Sequence, residues 1–192
     1  MGSAEPAPSP VGIVDRLLAR AATLGATRLL CIDGPSGSGK TTLAAEVADE
    51  LEALGRRVAV VHMDDLYDGW DGLHASGHRL LELLQPLSGG RPGSYRCYDW
   101  HRGKLSERRV VPVTDVLVVE GVGSWRRAHA GLVTLLVWVE APVALRLQRA
   151  VRRDGPHLEQ QLRRWRLDED ALHAEEVTRE HADVVVEGDA AD

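Results

Sequence analysis

The chain has no phenylalanine, and only two cysteines and two lysines stand among its 192 residues. Without phenylalanine, the five tryptophans and three tyrosines must supply all of the aromatic surface. Two cysteines make neither a disulfide framework nor a cysteine-based metal site, so we expect a reducing compartment, the cytoplasm. The longest apolar stretch, at 131–139, is too short to cross a bilayer, and we therefore expect no membrane partner.

The chain also has no excess of basic over acidic residues. The 29 acidic residues outnumber the 23 lysines and arginines and give a net charge of -6. A general nucleic-acid binder normally carries positive charge, so we expect no nucleic-acid partner. The length and the 44% hydrophobic content suit one domain at 11–192. Residues 1–10 lack the apolar centre of a signal peptide and are predicted to be a disordered leader.

The stretch GPSGSGKT at 34–41 matches in full the phosphate-binding pattern G-x-x-x-x-G-K-[ST]. It lies between an apolar run of strand type at 28–33 and a helical run at 40–54, which is the context that this pattern requires. Its glycines allow the backbone to bring successive N–H groups close to a polyphosphate. The residues predicted to bind the nucleotide are Gly34, Ser36, Gly37, Ser38, Gly39, Lys40, Thr41 and Thr42.

Two side chains of this loop have specific predicted roles. Lys40 would reach the β- and γ-phosphates of ATP, and the Thr41 hydroxyl would bind Mg²⁺. Nearly every other cationic position in the chain is arginine, which indicates that a compact, mobile charge is needed at position 40.

Short apolar runs alternate with helical patterns along the rest of the chain. Strands are predicted at 28–33, 58–63, 116–119, 133–139 and 182–186. Helices are predicted at 11–24, 40–54, 73–84, 124–130, 142–153 and 158–181. This alternation predicts an α/β fold, a three-layer sandwich in which helices cover both faces of a mostly parallel sheet.

Acidic residues follow two of these strands directly. In open α/β sheets the functional residues lie at the carboxyl ends of the strands, which singles out Asp64 and Glu120. Glu120, next to the phosphate loop, is predicted to bind Mg²⁺, with an ordinary charge at a strand end as the alternative. Asp68 and Asp71 are more typical of a solvated turn before a helix.

Two further segments suggest binding functions. The long excursion at 85–114 mixes aromatic and charged residues and is predicted to bind the phosphate acceptor, with a flexible surface hairpin as the alternative. Arg149, Arg152 and Arg153 precede a Gly-Pro break, and a short lid at 149–157 could place Arg149 and Arg153 over the transferred phosphate. The alternative is a solvated cationic face of a helix.

Taken in order, these segments resemble the uridine kinase group of P-loop kinases, which is related to phosphoribulokinase and bacterial pantothenate kinase. The matching stretches are GPSGSGKT at 34–41, DDLY at 64–67, YDWH at 98–101, VEG at 119–121, the arginine-rich helix at 146–154 and ADVVV at 182–186. The resemblance implies transfer of the γ-phosphate of ATP to a hydroxyl, typically of a pyrimidine nucleoside such as uridine or cytidine. It also implies that Asp64 is the general base and lies near the metal.

The resemblance further implies which residues face the acceptor. These are Asp65, Tyr67, Tyr98, Asp99 and His101. Leu66 replaces an aromatic residue of the family, so a sugar, a vitamin precursor or nicotinamide riboside stays open as the acceptor. A nucleotide-binding regulator with slow ATPase activity is a further alternative, although no guanine-reading [NT]-K-x-D motif occurs. The assembly state, a homo-oligomer included, is left open.

Overall fold

Five parallel strands form the central sheet of the computed structural model, which describes residues 8–188. Together with a separate two-stranded hairpin, the strands are β1 (Arg28–Asp33), β2 (Val58–His62), β3 (Gly93–Asp99), β4 (Lys104–Val111), β5 (Val116–Glu120), β6 (Leu135–Glu140) and β7 (Val184–Glu187). The order across the sheet is β2, β5, β1, β6 and β7, and every neighbouring pair is parallel. The carboxyl ends of all five strands therefore meet at one edge.

The helices cover both faces of this sheet. They are α1 (Pro10–Leu18), α2 (Lys40–Ala53), α3 (Leu73–Ser88), α4 (Val143–Asp154), α5 (Glu159–Glu176) and α6 (Thr178–His181). Leu30 and Ile32 of β1 pack in one core with α1 and α2. Leu29 and Cys31 belong to the opposite core, with α3 and α5. Because side chains alternate along a strand, β1 serves both cores, and the predicted three-layer α/β sandwich is confirmed.

The strand sequences explain why β1 and β5 lie inside the sheet. Both are continuous apolar runs without the alternation of a half-exposed strand, and β5 is buried throughout. The predicted strands at 28–33 and 116–119 are therefore found almost residue for residue.

The excursion at 85–114 does contain strands. Helix α3 continues to Ser88, four residues beyond its predicted end, with Pro86 in its last turn. Strands β3 and β4 then pair antiparallel, with a register shift between Arg96 and Tyr98, and β3 packs against α3.

Three predicted helices have different bounds. Helix α1 ends at Leu18 instead of residue 24, because the chain turns there and Leu24 pairs with Thr27. The helix predicted at 124–130 is a 3₁₀ helix at Arg127–Leu132. The long helix predicted at 158–181 is interrupted at Val177, whose φ of 55° lies in the left-handed region, so α5 and α6 are separate.

At the amino-terminal end, α1 begins inside the segment predicted to be a disordered leader. Ser9 caps the helix by accepting a hydrogen bond from the Gly12 N–H. Residues 1–7 lie outside the described part of the chain. Among residues 8–188, no helix combines the length and apolarity needed to span a membrane.

Candidate active site

The phosphate loop lies between the carboxyl end of β1 and the start of α2. Gly34, Gly37 and Gly39 all have positive φ angles, and a side chain on Gly34 or Gly37 would collide with a backbone carbonyl oxygen. No such obstacle surrounds Gly39, directly before the first residue of α2. The loop thus has the glycine-dependent backbone and the helix N-terminus that together bind phosphate groups.

Lys40 is buried at the first position of α2 and donates from Nζ to the Pro35 carbonyl at 2.9 Å. Its side chain therefore folds back across the loop. Burial lowers the pKa of Lys40, and the negative charges of Glu120, Glu169 and Asp33 oppose that effect. The ammonium group is consequently held by the Pro35 carbonyl, within the negative field of these carboxylates.

Asp33, the last residue of β1, holds together the segments around this loop. Its buried carboxylate accepts hydrogen bonds from the N–H groups of Gly34 at 2.7 Å, Gly123 at 3.0 Å and Trp125 at 2.9 Å. His173 Nε2 lies 3.1 Å from the same carboxylate. Burial alone would raise the pKa of Asp33, but the hydrogen bonds from His173 and the backbone lower it.

Glu120 comes at the end of β5, next to β1, as the sequence predicts. The Thr41 hydroxyl donates to its Oε1 at 3.2 Å, which brings two predicted metal-binding residues together. His62, at the end of β2, lies 2.7 Å from the same oxygen, and this hydrogen bond raises the pKa of His62. Glu120 itself is buried, so its carboxylate is fixed by neighbours on both sides.

Asp64 lies in the 3₁₀ turn at Met63–Asp65, directly after β2. Its surface is open to solvent, while its backbone carbonyl accepts a hydrogen bond from Trp100 Nε1 at 3.0 Å. Desolvation by neighbouring protein atoms on its inner side and the negative charge of Glu120 raise the pKa of Asp64, and Arg153 and Lys40 act in the opposite direction. Because β2 neighbours β5 and His62 lies opposite Glu120 in the register, Asp64 follows β2 at the same edge of the sheet as Glu120.

Asp65 and Tyr67, predicted to face the acceptor, have structural partners. Asp65 Oδ2 accepts hydrogen bonds from Tyr95 Oη at 3.1 Å and Arg109 Nη1 at 2.9 Å, which ties the turn to the hairpin. Tyr67 is buried in the core and donates from its hydroxyl to the Val122 carbonyl at 2.8 Å. The structure therefore does not present the Tyr67 side chain to an acceptor.

The other predicted acceptor residues lie at the end of the hairpin. The Asp99 carboxylate accepts hydrogen bonds from the N–H groups of His101 and Arg102, both at 3.0 Å, and thereby shapes the turn. His101 is exposed, and Tyr98 is half-buried against Trp100. Trp100 bonds to the Asp64 backbone, so the hairpin end stands beside the predicted general base.

A continuous row of aromatic rings joins the hairpin to α5. It runs from Tyr98 through Trp100, Trp70 and Trp165 to Tyr67, with ring centroids 4.8–6.0 Å apart in edge-to-face arrangements. Trp165 Nε1 donates to the Ser36 hydroxyl of the phosphate loop at 3.0 Å. The aromatic row therefore connects the predicted acceptor side with the predicted phosphate side.

The predicted lid arginines have unequal surroundings. Arg153 forms two hydrogen bonds to the carboxylate of Asp154, at 2.7 and 2.8 Å, and these raise its pKa, with smaller contributions from Asp64 and Glu120. Arg149 is half-buried one helical turn earlier in α4. Gly155 ends this helix, and a short 3₁₀ turn leads into α5.

One face of α5 contacts the phosphate loop and the end of β1. Trp165, Glu169 and His173 stand four residues apart and bond respectively to the Ser36 hydroxyl, the Ser36 N–H and the Asp33 carboxylate. The Ser36 N–H to Glu169 distance is 2.9 Å, and Glu169 is fully buried. Residues at this spacing share one face of a helix, so α5 holds the loop over two turns.

A buried ion pair joins this face to the lid helix. Arg146 Nη1 of α4 donates to Glu169 Oε1 at 3.2 Å, and both side chains are buried. The sequence prediction missed Arg146, Glu169, His173, Trp165, Asp33 and His62. The i, i+4, i+8 spacing of the three α5 residues was a signal, but nothing in the sequence identified their partner.

A cavity of about 530 Å³ opens beside the loop. It is lined by Pro35 of the loop, by Glu140 at the end of β6 with the following Ala141 and Pro142, and by His173 of α5, among other residues. Its position beside the phosphate loop and its size suit the nucleoside part of a nucleotide.

Comparison with known proteins bears on the family and the fold of the chain. No model of a known protein family matches the chain. A curated uridine kinase from Macrococcus caseolyticus is 25% identical over 182 residues, covering 83% of this chain and 87% of that protein.

Two solved structures share the fold. A possible uridine kinase from Bacillus stearothermophilus superposes with a TM-score of 0.65 at 23% identity, over 92% of this chain and 96% of that one. A candidate fructose transport system kinase from Silicibacter gives the same TM-score at 20% identity, over 92% and 98%. At these identities the two likenesses establish the fold and leave the acceptor open. Sequence and fold together thus confirm the resemblance of the chain to the uridine kinase-like P-loop kinases.

Proposed function

We propose that the protein transfers the γ-phosphate of ATP to a hydroxyl group of a small molecule, and that this acceptor is a nucleoside of the uridine or cytidine type. The observation that carries the proposal is the meeting of three strand ends. The phosphate loop after β1, Glu120 at the end of β5 and Asp64 after β2 face one site, and their charges influence one another. Such a site combines nucleotide binding with acid-base groups, which simple nucleotide binding does not require.

The oxygen atoms at this site fit Mg²⁺, the metal ion that accompanies ATP in phosphotransfer. The Thr41 hydroxyl and the Glu120 carboxylate are already adjacent, and Asp64 stands nearby. Hard oxygen ligands of this kind suit Mg²⁺, which typically takes one or two protein carboxylates together with phosphate oxygens. When bound, the ion would neutralise charge on the β- and γ-phosphates.

The side chains of the chain then have distinct roles in the transfer. Lys40 and the N–H groups of the loop hold the phosphates in line with the acceptor. Asp64 takes the proton of the acceptor hydroxyl while the acceptor oxygen bonds to the γ-phosphorus and the bond to the β-phosphate oxygen breaks, which releases ADP. The raised pKa of Asp64 makes it a better proton acceptor than an ordinary aspartate.

Arg149 and Arg153 would stabilise the negative charge that develops on the transferred group. Arg153 is engaged by Asp154, so it would have to leave this partner, or act together with it, when phosphates are bound. Asp65, Tyr98, Asp99 and His101 stay predicted acceptor residues, with Asp65 and Asp99 acting through the shape of the turn and hairpin.

The nucleoside proposal draws its support from the named relative and from the aromatic residues beside Asp64. Trp100, 39% exposed, and Tyr98 offer faces on which a base could stack. A sugar, a vitamin precursor or nicotinamide riboside remains the alternative acceptor, and a regulator with slow ATPase activity remains the alternative function. The proposal does not depend on the predicted cytoplasmic location or on the predicted absence of a nucleic-acid partner, and the assembly state, a homo-oligomer included, stays open.

The test is a screen of nucleosides, sugars and vitamin alcohols with ATP and Mg²⁺, followed by coupled detection of ADP and identification of the phosphomonoester. We expect turnover with a pyrimidine nucleoside. Turnover with a different alcohol would keep the kinase and change the acceptor. ATP binding without turnover across the whole screen would favour the regulator.

The variant Asp64→Ala tests the assignment of the base. We expect unchanged ATP binding and a loss of turnover of about 10²- to 10⁴-fold, the usual range for a general base. The matched control is Asp68→Ala, since Asp68 is exposed nearby and pairs with Arg79. Normal turnover by Asp64→Ala would show that the base is another group.

A further inference from the structure

A second cavity, the arginine groove, lies between α3 and the β3–β4 hairpin and has a volume of about 580 Å³. Four arginines line it: Arg79 from α3, Arg91 from the loop before β3, Arg96 from β3 and Arg108 from β4. None of its lining residues belongs to the phosphate loop, to α5 or to the five residues predicted to bind the acceptor, although Tyr95 of the lining donates to one of these five, Asp65.

The groove concentrates positive charge on a chain whose net charge is -6. Arg96 and Arg108 are directly opposite one another in the hairpin register, an arrangement in which like charges destabilise a strand pair. Among the described residues that line the groove, Glu82 is the one carboxylate, and it is largely exposed and 3.5 Å from His78. Asp68, outside the lining, pairs with Arg79 at 2.8 Å, so the excess of positive charge in the lining comes from the other three arginines.

Oxygen atoms of the backbone, of one hydroxyl and of one carboxylate hold three of these guanidinium groups. Arg96 donates to the Leu105 and Ser106 carbonyls, and Arg108 donates to the Ser94 hydroxyl at 2.8 Å. Arg79 donates to the Leu66 carbonyl and to Asp68. Each guanidinium has five N–H donors, so these contacts orient the groups and leave donors for a ligand.

The remaining lining tells which ligand would fit. Leu66, Pro86, Pro92, Leu105 and Tyr95 give the groove an apolar part beside its arginines. A planar guanidinium group can donate two parallel hydrogen bonds to two oxygens of one phosphate. Several arginines together can neutralise more than one negative charge. We propose that the arginine groove is a second anion site, which binds a small organic molecule bearing one or more phosphate groups.

The test is calorimetric titration of the full chain with inorganic tripolyphosphate, which probes both anion sites. We expect two binding sites in the unmodified protein, one at the phosphate loop and one at the groove. In Arg96→Gln/Arg108→Gln the groove site should lose about tenfold or more in affinity, the effect of removing charge-assisted hydrogen bonds, while the other site is retained. Lys40→Met should weaken the phosphate-loop site and spare the groove.

The control Arg56→Gln/Arg57→Gln removes the same two positive charges directly before β2, outside the groove. Both of these side chains are exposed. It should leave both sites intact. Should the double variant of the groove fold poorly, the single variant Arg108→Gln gives the same comparison. Two undiminished sites in the groove variants, or an equal loss in the control, would overturn the proposal, because binding would then not depend on these arginines.

Discussion

Asp33 shows how much a single buried carboxylate can organise. It is the acceptor for the N–H groups of Gly34, Gly123 and Trp125, which belong to two different loops at the carboxyl edge of the sheet. An asparagine at position 33 would offer only one acceptor oxygen. Its side-chain NH₂ group would face a backbone N–H, and two donors cannot bond to each other. The position of the phosphate loop relative to the loop after β5 therefore depends on a negative charge at this residue.

We predict that Asp33→Asn lowers the free energy of unfolding at neutral pH by about 1–3 kcal/mol, the effect of leaving buried donors unsatisfied. Because the folded-state pKa of Asp33 is lowered, its contribution is complete above the unfolded-state pKa of about 3.9 and is lost as the pH falls through the folded-state value. The difference between the two proteins should therefore shrink below about pH 4. Urea denaturation at several pH values measures it.

Asp115→Asn is the matched control for this prediction. Asp115 also has a lowered pKa, but its partner Arg57 is exposed and solvent screens the pair. A small effect is expected. A difference between Asp33→Asn and the unmodified protein that stayed constant from pH 7 to the acid limit would contradict the role of the Asp33 charge.

At the scale of elements, α5 is the support of the phosphate loop. Glu169 accepts from the Ser36 N–H and pairs with Arg146, so one side chain links the loop, α5 and α4. We predict that Glu169→Gln lowers the free energy of unfolding by about 3–5 kcal/mol, because it leaves the buried Arg146 without a charge partner. It should also weaken ATP binding, since the loop loses its support. Urea denaturation and ATP titration measure the two effects.

Three further variants separate the support of the loop from general stability. Arg146→Met/Glu169→Leu should recover most of the stability, because a buried ion pair can be replaced by apolar side chains, yet ATP affinity should stay low. Trp165→Phe removes one hydrogen bond to Ser36, worth about 1 kcal/mol. Glu159→Gln, at an exposed pair with Arg163, is the control. Normal ATP affinity in the double variant would limit Glu169 to a structural role.

At the scale of the whole molecule, the sequence predicts those features that depend on residues close to one another in the chain. The strand β5 and the loop at 34–41 follow from a buried apolar run and from a spacing of glycines, and Asp64 and Glu120 follow from their position after strands. The fold and the loop side of the site are therefore predictable.

The rest depends on contacts between distant segments. Ser36 and Glu169 are 133 positions apart, and no local pattern in either segment indicates the other. Tyr67 was assigned to the acceptor from a motif, but Trp165 and the Val122 carbonyl enclose it in the core. The interruption at Val177 was not predictable either, because valine rarely adopts a positive φ.

The predicted nucleotide site is formed by the ends of three strands together with α5. Because these elements belong to different parts of the chain, we expect nucleotide binding to stabilise the molecule as a whole. If residues 11–192 form one domain, ATP with Mg²⁺ should shift a single unfolding transition. At a ligand concentration of about 100 times the dissociation constant, the free energy of unfolding should rise by about 2.7 kcal/mol. Differential scanning calorimetry with and without ligand measures this shift.

Lys40→Met should strongly reduce the stabilisation by ligand, since it removes the ammonium group predicted to hold the phosphates. The chain offers a matched control in its other lysine, because Lys104 is exposed at the start of β4 and Lys104→Met should respond to ATP like the unmodified protein. Two separate transitions, of which ATP moves only one, would contradict the single domain. An equal ATP response in both lysine variants would contradict the role of Lys40, because the loop would then bind phosphates through its N–H groups alone.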